Sequence, residues 1–419
     1  VLDRKSPPPF AKEFSFDLPY PIRLQVGNGI NLFWVKGSKD IVKLDFIFQA
    51  GKWYEPKPGI AYFTAHMLEK GTANYSSAQI SEIIDYHGAQ LEISAGADFV
   101  SISLYSLSKN LRLVLPLLME LLQSPVFPSD ELNLLLSIYE QNLKVNHQKT
   151  NFVAGKLLAK NIFGAQHPYG KSAEESDLKN ISREDLMHYH TERFVPFSIF
   201  LTGDLSNEEM VWLEQSLAPL NSSSRNEPNS KPVESVDAKK VAVKKEGSVQ
   251  ASLRMGKISI TRADNDYAGF LLLNHILGGY FGSRLMKNIR EEKGLTYGIY
   301  SSLSPNLHHS SFSIGADVNI DKCDETIREI GNELTRLQNE LISEEELVVA
   351  KNHFLGSLQL EVSNPFSVTE KLKTIHLFDL PSDFYVHLFN RIGKTQAKDL
   401  QIMAQKHFML EDFFTVQVG

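Results

Sequence analysis

One cysteine, Cys323, stands among 419 residues, so no intrachain disulfide and no all-cysteine metal site can form. Positive charge is also short. There are 43 basic residues against 50 acidic ones, a formal −7, and a nucleic-acid binder's electrostatic footprint is missing. No apolar run reaches the ~20 residues needed to cross a bilayer. The stretch 111–122 is interrupted by Arg112, Pro116 and Glu120, and 267–281 by Asn274 and His275. No apolar leader is visible at Val1, which leaves a soluble chain open to either the cytoplasm or the periplasm. What is present is ordinary for a soluble globular protein: 42% apolar and 22% charged residues. The length suits two domains of roughly 200 residues each.

The clearest boundary is 219–245, where 221–232 is polar, proline-punctuated and without apolar period. It reads as a linker between a first domain, 18–218, and a second, 246–419. Residues 1–17 read as an arm, extended at Pro7-Pro8-Pro9. Phe10, Phe14 and Phe16 in this arm are expected to pack on the core, with docking on a neighbouring subunit as the alternative.

The two halves carry the same order of elements. In the first, helical spacing over 77–87 ends at Gly88, two strand-like runs follow near 89–95 and 99–107, then helices at 111–122 and from Ser129. In the second, 283–293 ends at Gly294, runs follow near 296–302 and 310–318, then helices at 324–341 and from Ser343. Ser129 and Ser343 each precede acidic residues and are expected to be N-caps. The spacing predicts an α+β fold: two homologous α/β domains, each a mostly antiparallel sheet packed with helices.

Within 59–72, His66 and Lys70 are four apart and share a helix face, with Glu69 beside them. An H-x-x-E-H helix would set two imidazoles on zinc and a carboxylate beside its water. Here the last position is a lysine, whose ammonium has no lone pair to give a metal.

Together with Gly27-Asn-Gly-Ile30, Gly51, Gly59-Ile-Ala61, Met67-Leu68-Glu69 and Gly71-Thr72, this stretch resembles the pitrilysin and insulinase group of inverted zinc peptidases. The half-length branch containing the mitochondrial processing peptidase subunits is the nearest in pattern, from about Leu18 onward. The resemblance implies a clam-shell dimer around a proteolytic chamber. It implies a further zinc ligand on the helix 130–144, best matched by Glu140, while a supporting glutamate of the family is replaced by Asn133. His66, Glu69 and Glu140 are thus kept, and the second imidazole is not. No zinc is expected in this chain. Lys70 is expected either to take the metal's place against Glu140 or Glu69, or to reach solvent.

Phe281-Gly-Ser-Arg-Leu-Met-Lys-Asn-Ile-Arg290-Glu-Glu-Lys-Gly-Leu-Thr-Tyr297 resembles the family's arginine–tyrosine signature. The resemblance gives Arg290 the role of holding a substrate carbonyl and Tyr297 that of donating to the developing oxyanion. The bland alternatives are a surface charge paired with Glu291 or Glu292 and a half-buried strand aromatic.

The chain therefore looks like the substrate-positioning, zinc-less subunit of a heterodimeric zinc endopeptidase. Its partner would be a similar-length subunit with intact H-x-x-E-H and bound zinc, and its substrate an extended peptide or unfolded segment. An inert scaffold, a homodimer of the isolated chain and a self-sufficient zinc peptidase are the alternatives.

Weaker signals receive structural readings. Gly278-Gly279 and Gly282 suit close packing before a helix, since no Gly-Lys-Ser/Thr follows. His188 and His190 diverge on a helix, His308-His309 reads as a solvated hairpin loop, and His167-Pro-Tyr-Gly170 receives no role.

Overall fold

The structure, a computed structural model, describes residues 16–37, 39–222, 231–233 and 239–419. Pro7–Pro9, Phe10 and Phe14 lie outside the described residues. Phe16 stacks on Phe389 at 5.3 Å, as packing on the chain's own core requires.

The first half builds a six-stranded sheet in the order β1-β2-β6-β3-β5-β4. Its strands are β1 Ile22–Val26, β2 Ile30–Val35, β3 Ile41–Phe48, β4 Gln90–Ala95, β5 Val100–Leu107 and β6 Ser198–Thr202. Every pair is antiparallel except β2 with β6. Its helices are α1 Ile60–Met67, α2 Ser77–Tyr86, α3 Leu111–Gln123, α4 Ser129–His147, α5 Thr150–Phe163, α6 Glu175–Leu178, α7 Arg183–Arg193 and α8 Asn207–Leu217.

The second half has β7 Lys240–Val243, β8 Gln250–Ser259, β9 Thr296–Pro305, β10 Ser310–Asn319 and β11 Phe414–Val418, in the order β7-β11-β8-β10-β9. Only β7 with β11 runs parallel. Its helices are α9 Tyr267–Asn274, α10 Cys323–Asn339, α11 Glu344–Leu360, α12 Pro365–Leu377, α13 Phe384–Lys394 and α14 Ala397–His407, with wide π-turns at His275–Gly279 and Met286–Glu292. Without the edge strand β1, the two orders coincide strand for strand, parallel pair included. The duplication read from sequence is present in the topology.

Local chemistry explains the boundaries. Ser76 and Gln79 form a reciprocal cap at the start of α2, and Ser343 accepts from the Glu346 N–H at the start of α11. Gly88 and Gly294 turn the chain at φ 59° and 63°, a conformation glycine adopts without cost. Two expectations are corrected. Pro128, not Ser129, is the cap residue of α4, because Pro128 is extended while Ser129 is already helical. The stretch read as a linker through 245 contains β7, recruited because β11 offers it a free edge.

The halves exchange helices. From α5, Ala154, Leu158 and Ile162 pack with Phe414, Val416 and Val418 of the second sheet. From α12, Leu377 packs on Phe33, Ile47 and Phe200 of the first. Each sheet thus has one face on its own helices and part of the other under a helix from the opposite half.

Candidate functional site

Helix α1 begins at Gly59, at φ 95°, and its first N–H groups are met by Glu55, whose Oε2 accepts from Gly59 N at 3.0 Å and Ala61 N at 3.3 Å. Phe63, Ala65 and Met67 are buried, which leaves Tyr62 and His66 on the open side. Their rings stack at 4.0 Å, and His66 Nδ1 lies 2.9 Å from the Tyr62 carbonyl. The α-helix ends at Met67, and Leu68–Lys70 tighten into a 3₁₀ turn, so Lys70 is not on a continuous α-helical face with His66 as expected. Its ammonium donates to Glu69 Oε1 at 2.9 Å, with both side chains about one-third exposed.

Helix α4 does lie against α1, through Tyr139 on Tyr62 and Phe63. Glu140 follows Tyr139 but is held by Lys144 one turn on, 2.6 Å away. That hydrogen bond and the Lys144 charge lower its pKa. Asn133 is exposed. Of the two partners considered for Lys70, the structure selects Glu69. Each retained carboxylate is tied to a lysine, and an ammonium stands at the second-imidazole position. Among the described residues no three His, Cys, Asp or Glu side chains converge to hold a metal. This donor set does not fit a zinc centre.

In the second half, the π-turn Met286–Glu292 closes through Lys293 N to Asn288 O and Leu295 N to Ile289 O, then passes Gly294 into β9. Arg290 lies over the Phe281 ring at 4.6 Å, and among the described residues it makes no ion pair. In the ladder, Ile299 pairs with Ala316 and Thr296 with Val318, so Tyr297 and Gly298 together oppose Asp317. This bulge is held by Thr296 Oγ1, which donates to Asp317 O at 2.7 Å and accepts from Gly298 N. A bulge re-aims a side chain, and Tyr297 is 91% exposed rather than half-buried. β9 is also a sheet edge with unpaired backbone groups.

The weaker sequence signals resolve as packing, with one correction. His190 Nε2 is 2.9 Å from Leu122 O, while exposed His188 sits by Glu192, so the two diverge. Gly278 packs on Ser301, where a Cβ would come within 2.6 Å of Oγ. His308-His309 is not a solvated loop: His308 stacks on Trp53 at 3.9 Å, because the β9–β10 hairpin tip docks on the first half. His167 and Tyr169 lie in the same cluster.

Sequence reasoning missed the imidazole pair His275 and His353, with Nε2···Nδ1 at 3.0 Å. Burial, then His353, pushes His275 down to about 4. The pair joins elements corresponding to those carrying His66 and Glu140, a match visible only once the two halves are aligned.

Comparison with known proteins agrees with this architecture. Residues 35–172 match the family described as insulinase (peptidase family M16), and 180–354 match the peptidase M16 inactive domain. An uncharacterized zinc protease, YmxG, of Bacillus subtilis is 24% identical over 310 residues, 73% of this chain and 75% of that one. A protein of Helicobacter pylori described as non-peptidase homolog YmxG is 25% identical over 370 residues, 84% of this chain and 83% of that one. Among solved structures, a peptidase M16 inactive domain from Pseudomonas fluorescens superposes with a TM-score of 0.85 at 24% identity, over 95% of this chain and 98% of that one. A protease from Helicobacter pylori gives 0.86 at 18% identity, over 96% and 100%.

Proposed function

We propose, from the premise that this chain belongs to the M16 peptidase family, that it is a substrate-positioning subunit acting on a partner's active centre. The carrying observation is the asymmetry between its halves. The first-half motif has its carboxylates neutralised by Lys70 and Lys144. The second half presents Tyr297 to solvent on a bulge, with Arg290 at the helix end preceding it.

The partner is a subunit of similar length with intact H-x-x-E-H. Its zinc would supply the activated water and polarise the scissile carbonyl. This chain's contribution is orientation and charge. The Arg290 guanidinium donates to a backbone carbonyl of an extended peptide. The Tyr297 hydroxyl donates to the oxygen that becomes negative as the carbonyl is attacked. Because Tyr297 is almost fully exposed, it needs an opposing surface to exclude water, and the partner provides it. The substrate is an extended peptide or unfolded segment, whose backbone pairs with a sheet edge.

The test mixes the purified zinc-bearing partner with this chain, either unaltered or as Tyr297→Phe. The variant is expected to lower kcat by about 10²–10³, the usual loss of one oxyanion donor, with KM little changed. Undiminished cleavage would overturn the role of Tyr297. A second reading, an inert scaffold, is favoured by the inactive-domain match. It predicts a stable complex that cleaves nothing with either form of this chain.

A further inference from the structure

The β9–β10 hairpin starts at Thr296, next to Tyr297, and ends in a tip, residues 306–309, lodged against the first half. Two hydrogen bonds tie the tip to the first half, Leu307 N to Asp98 Oδ2 at 2.9 Å and His308 N to the Tyr169 hydroxyl at 3.3 Å, and His309 Nε2 lies 3.2 Å from the Lys231 carbonyl. Tyr169 in turn donates to Asp98 Oδ1 at 2.5 Å. The His308 ring lies on Trp53, which is 1% exposed. Tyr169 is therefore the hook on which the tip hangs, and the question is what sets Tyr169.

The answer is His167, two residues earlier and 3% exposed. Its Nδ1 accepts from the Tyr169 backbone N–H at 3.1 Å. A backbone N–H can only donate, so this bond needs a lone pair on Nδ1 and the proton on Nε2. A second proton would turn Nδ1 into a donor facing a donor, and the bond would be lost. Burial and His309 oppose that proton most strongly, and they outweigh the Lys231 backbone carbonyl, which favours it. His309 and His308 come from the hairpin, with the His309 ring 5.3 Å away. Lys231 brings an ammonium that sits 5.5 Å from the Trp53 ring. The Trp53 and His167 ring planes cross at 75°, and the Phe163 ring stacks on His167 at 5.4 Å. The carboxylate in the junction, Asp98, has both oxygens committed to Tyr169 and Leu307.

We propose that this junction is a proton-operated latch: His167, neutral, holds Tyr169 in place to dock the hairpin tip on the first half, and protonated His167 releases it. Burial, followed by the charge of His309, pushes the His167 pKa down to about 4 from its ordinary 6.5. The sign follows from linkage. The docked form refuses a proton that the released form accepts, so docking is at full strength above about 6.5 and weakens as pH falls toward 4. At pH 5.5 this one group shifts the docking equilibrium about tenfold toward release. The inference is independent of the proposed catalytic role, because it concerns how the halves are joined.

The experiment is hydrogen exchange of the full chain at pH 7.5 and 5.5, corrected for intrinsic rates. The Leu307 and His308 amides should lose about tenfold in protection at pH 5.5. The central ladder amides of Leu253 and Ala316 should not. In His167→Asn, the amide oxygen can accept from Tyr169 N but does not titrate, so protection should persist at pH 5.5. Tyr169→Phe should lose it at both pH values. Unchanged wild-type protection, equal loss in His167→Asn, or loss of the ladder amides together with the tip would each overturn the latch.

Discussion

Lys43 and Lys70 each bond a nearby carboxylate, and depth decides what each bond is worth. Lys70 and Glu69 are partly solvated, and such pairs contribute about 0–1 kcal/mol. Lys43 and Asp45 are 5% and 0% exposed and 3.0 Å apart, beneath α12, with Glu370 also on Lys43 and Lys373 3.7 Å from Asp45. Burial alone would lower the Lys43 pKa, but the Asp45 and Glu370 carboxylates outweigh it and hold the ammonium well above the lysine range. Removing Lys43 leaves the fully buried Asp45 with Lys373, at 3.7 Å, as its remaining ion pair among the described residues, and the cost approaches the roughly 3–5 kcal/mol of a broken buried pair. Lys43→Met is therefore expected to lower unfolding free energy in urea by that amount, and Lys70→Met by less than about 1 kcal/mol. Equal losses would show that the depth argument is wrong. In sequence, the alternation of Val42, Leu44 and Phe46 with Lys43 and Asp45 is that of a strand with one wet face. Nothing local says that a helix some 330 residues later covers it. For Glu140 the sequence expectation was Lys70, although Lys144 at i+4 is the partner that local helix geometry favours.

At the scale of elements, α1 shows how a helix start carries a pH dependence. Burial pushes Glu55 up to about 7, even though the Gly59 and Ala61 N–H groups favour its charged form. The folded chain therefore keeps a proton that the unfolded chain, with an ordinary value of 4.5, gives up. Its contribution is fully present below about 4.5 and is lost as pH rises through 7. Glu55→Gln fixes the neutral form while keeping an acceptor for α1. The variant should exceed the wild type in stability at pH 8 by on the order of 1–2 kcal/mol after solvent screening, and match it near pH 4. Denaturation midpoints at the two pH values check this, and a variant less stable at pH 8 would contradict it. The repeated helix–strand–strand–helix–helix runs were readable because their signals are local: Ser343 before acids, Gly88 and Gly294 after helices. The bulge at Tyr297-Gly298 and the two π-turns were not. The bulge answers to Asp317 and the first π-turn packs its Gly278 on Ser301, partners that lie elsewhere in the chain.

For the whole molecule, the exchange of α5 and α12 makes each half incomplete alone. Gly256 of β8 permits the contact, since a Cβ there would come within 3.0 Å of Leu158 and Ile162. Thr202 and Thr369 meet at 2.6 Å on the other side. Burying a Leu, Ile or Phe side chain is worth about 1.5–3 kcal/mol. Uncovering Leu158 and Ile162 of α5 and Phe33, Ile47 and Phe200 beneath α12, all residues of the first half, therefore removes on the order of 7–15 kcal/mol, comparable to a domain's whole stability. The two domains read on either side of the polar stretch near 221–232 are therefore expected to unfold together, since each lends a helix to the other's sheet. Cut within 223–230, the two fragments are expected to stay soluble only when co-expressed and to purify together as a 1:1 complex. Either fragment made alone should lack a cooperative thermal transition. A first-half fragment that melts cooperatively by itself would show that its sheet does not need α12, and the exchange would then be decoration rather than the bond between the halves.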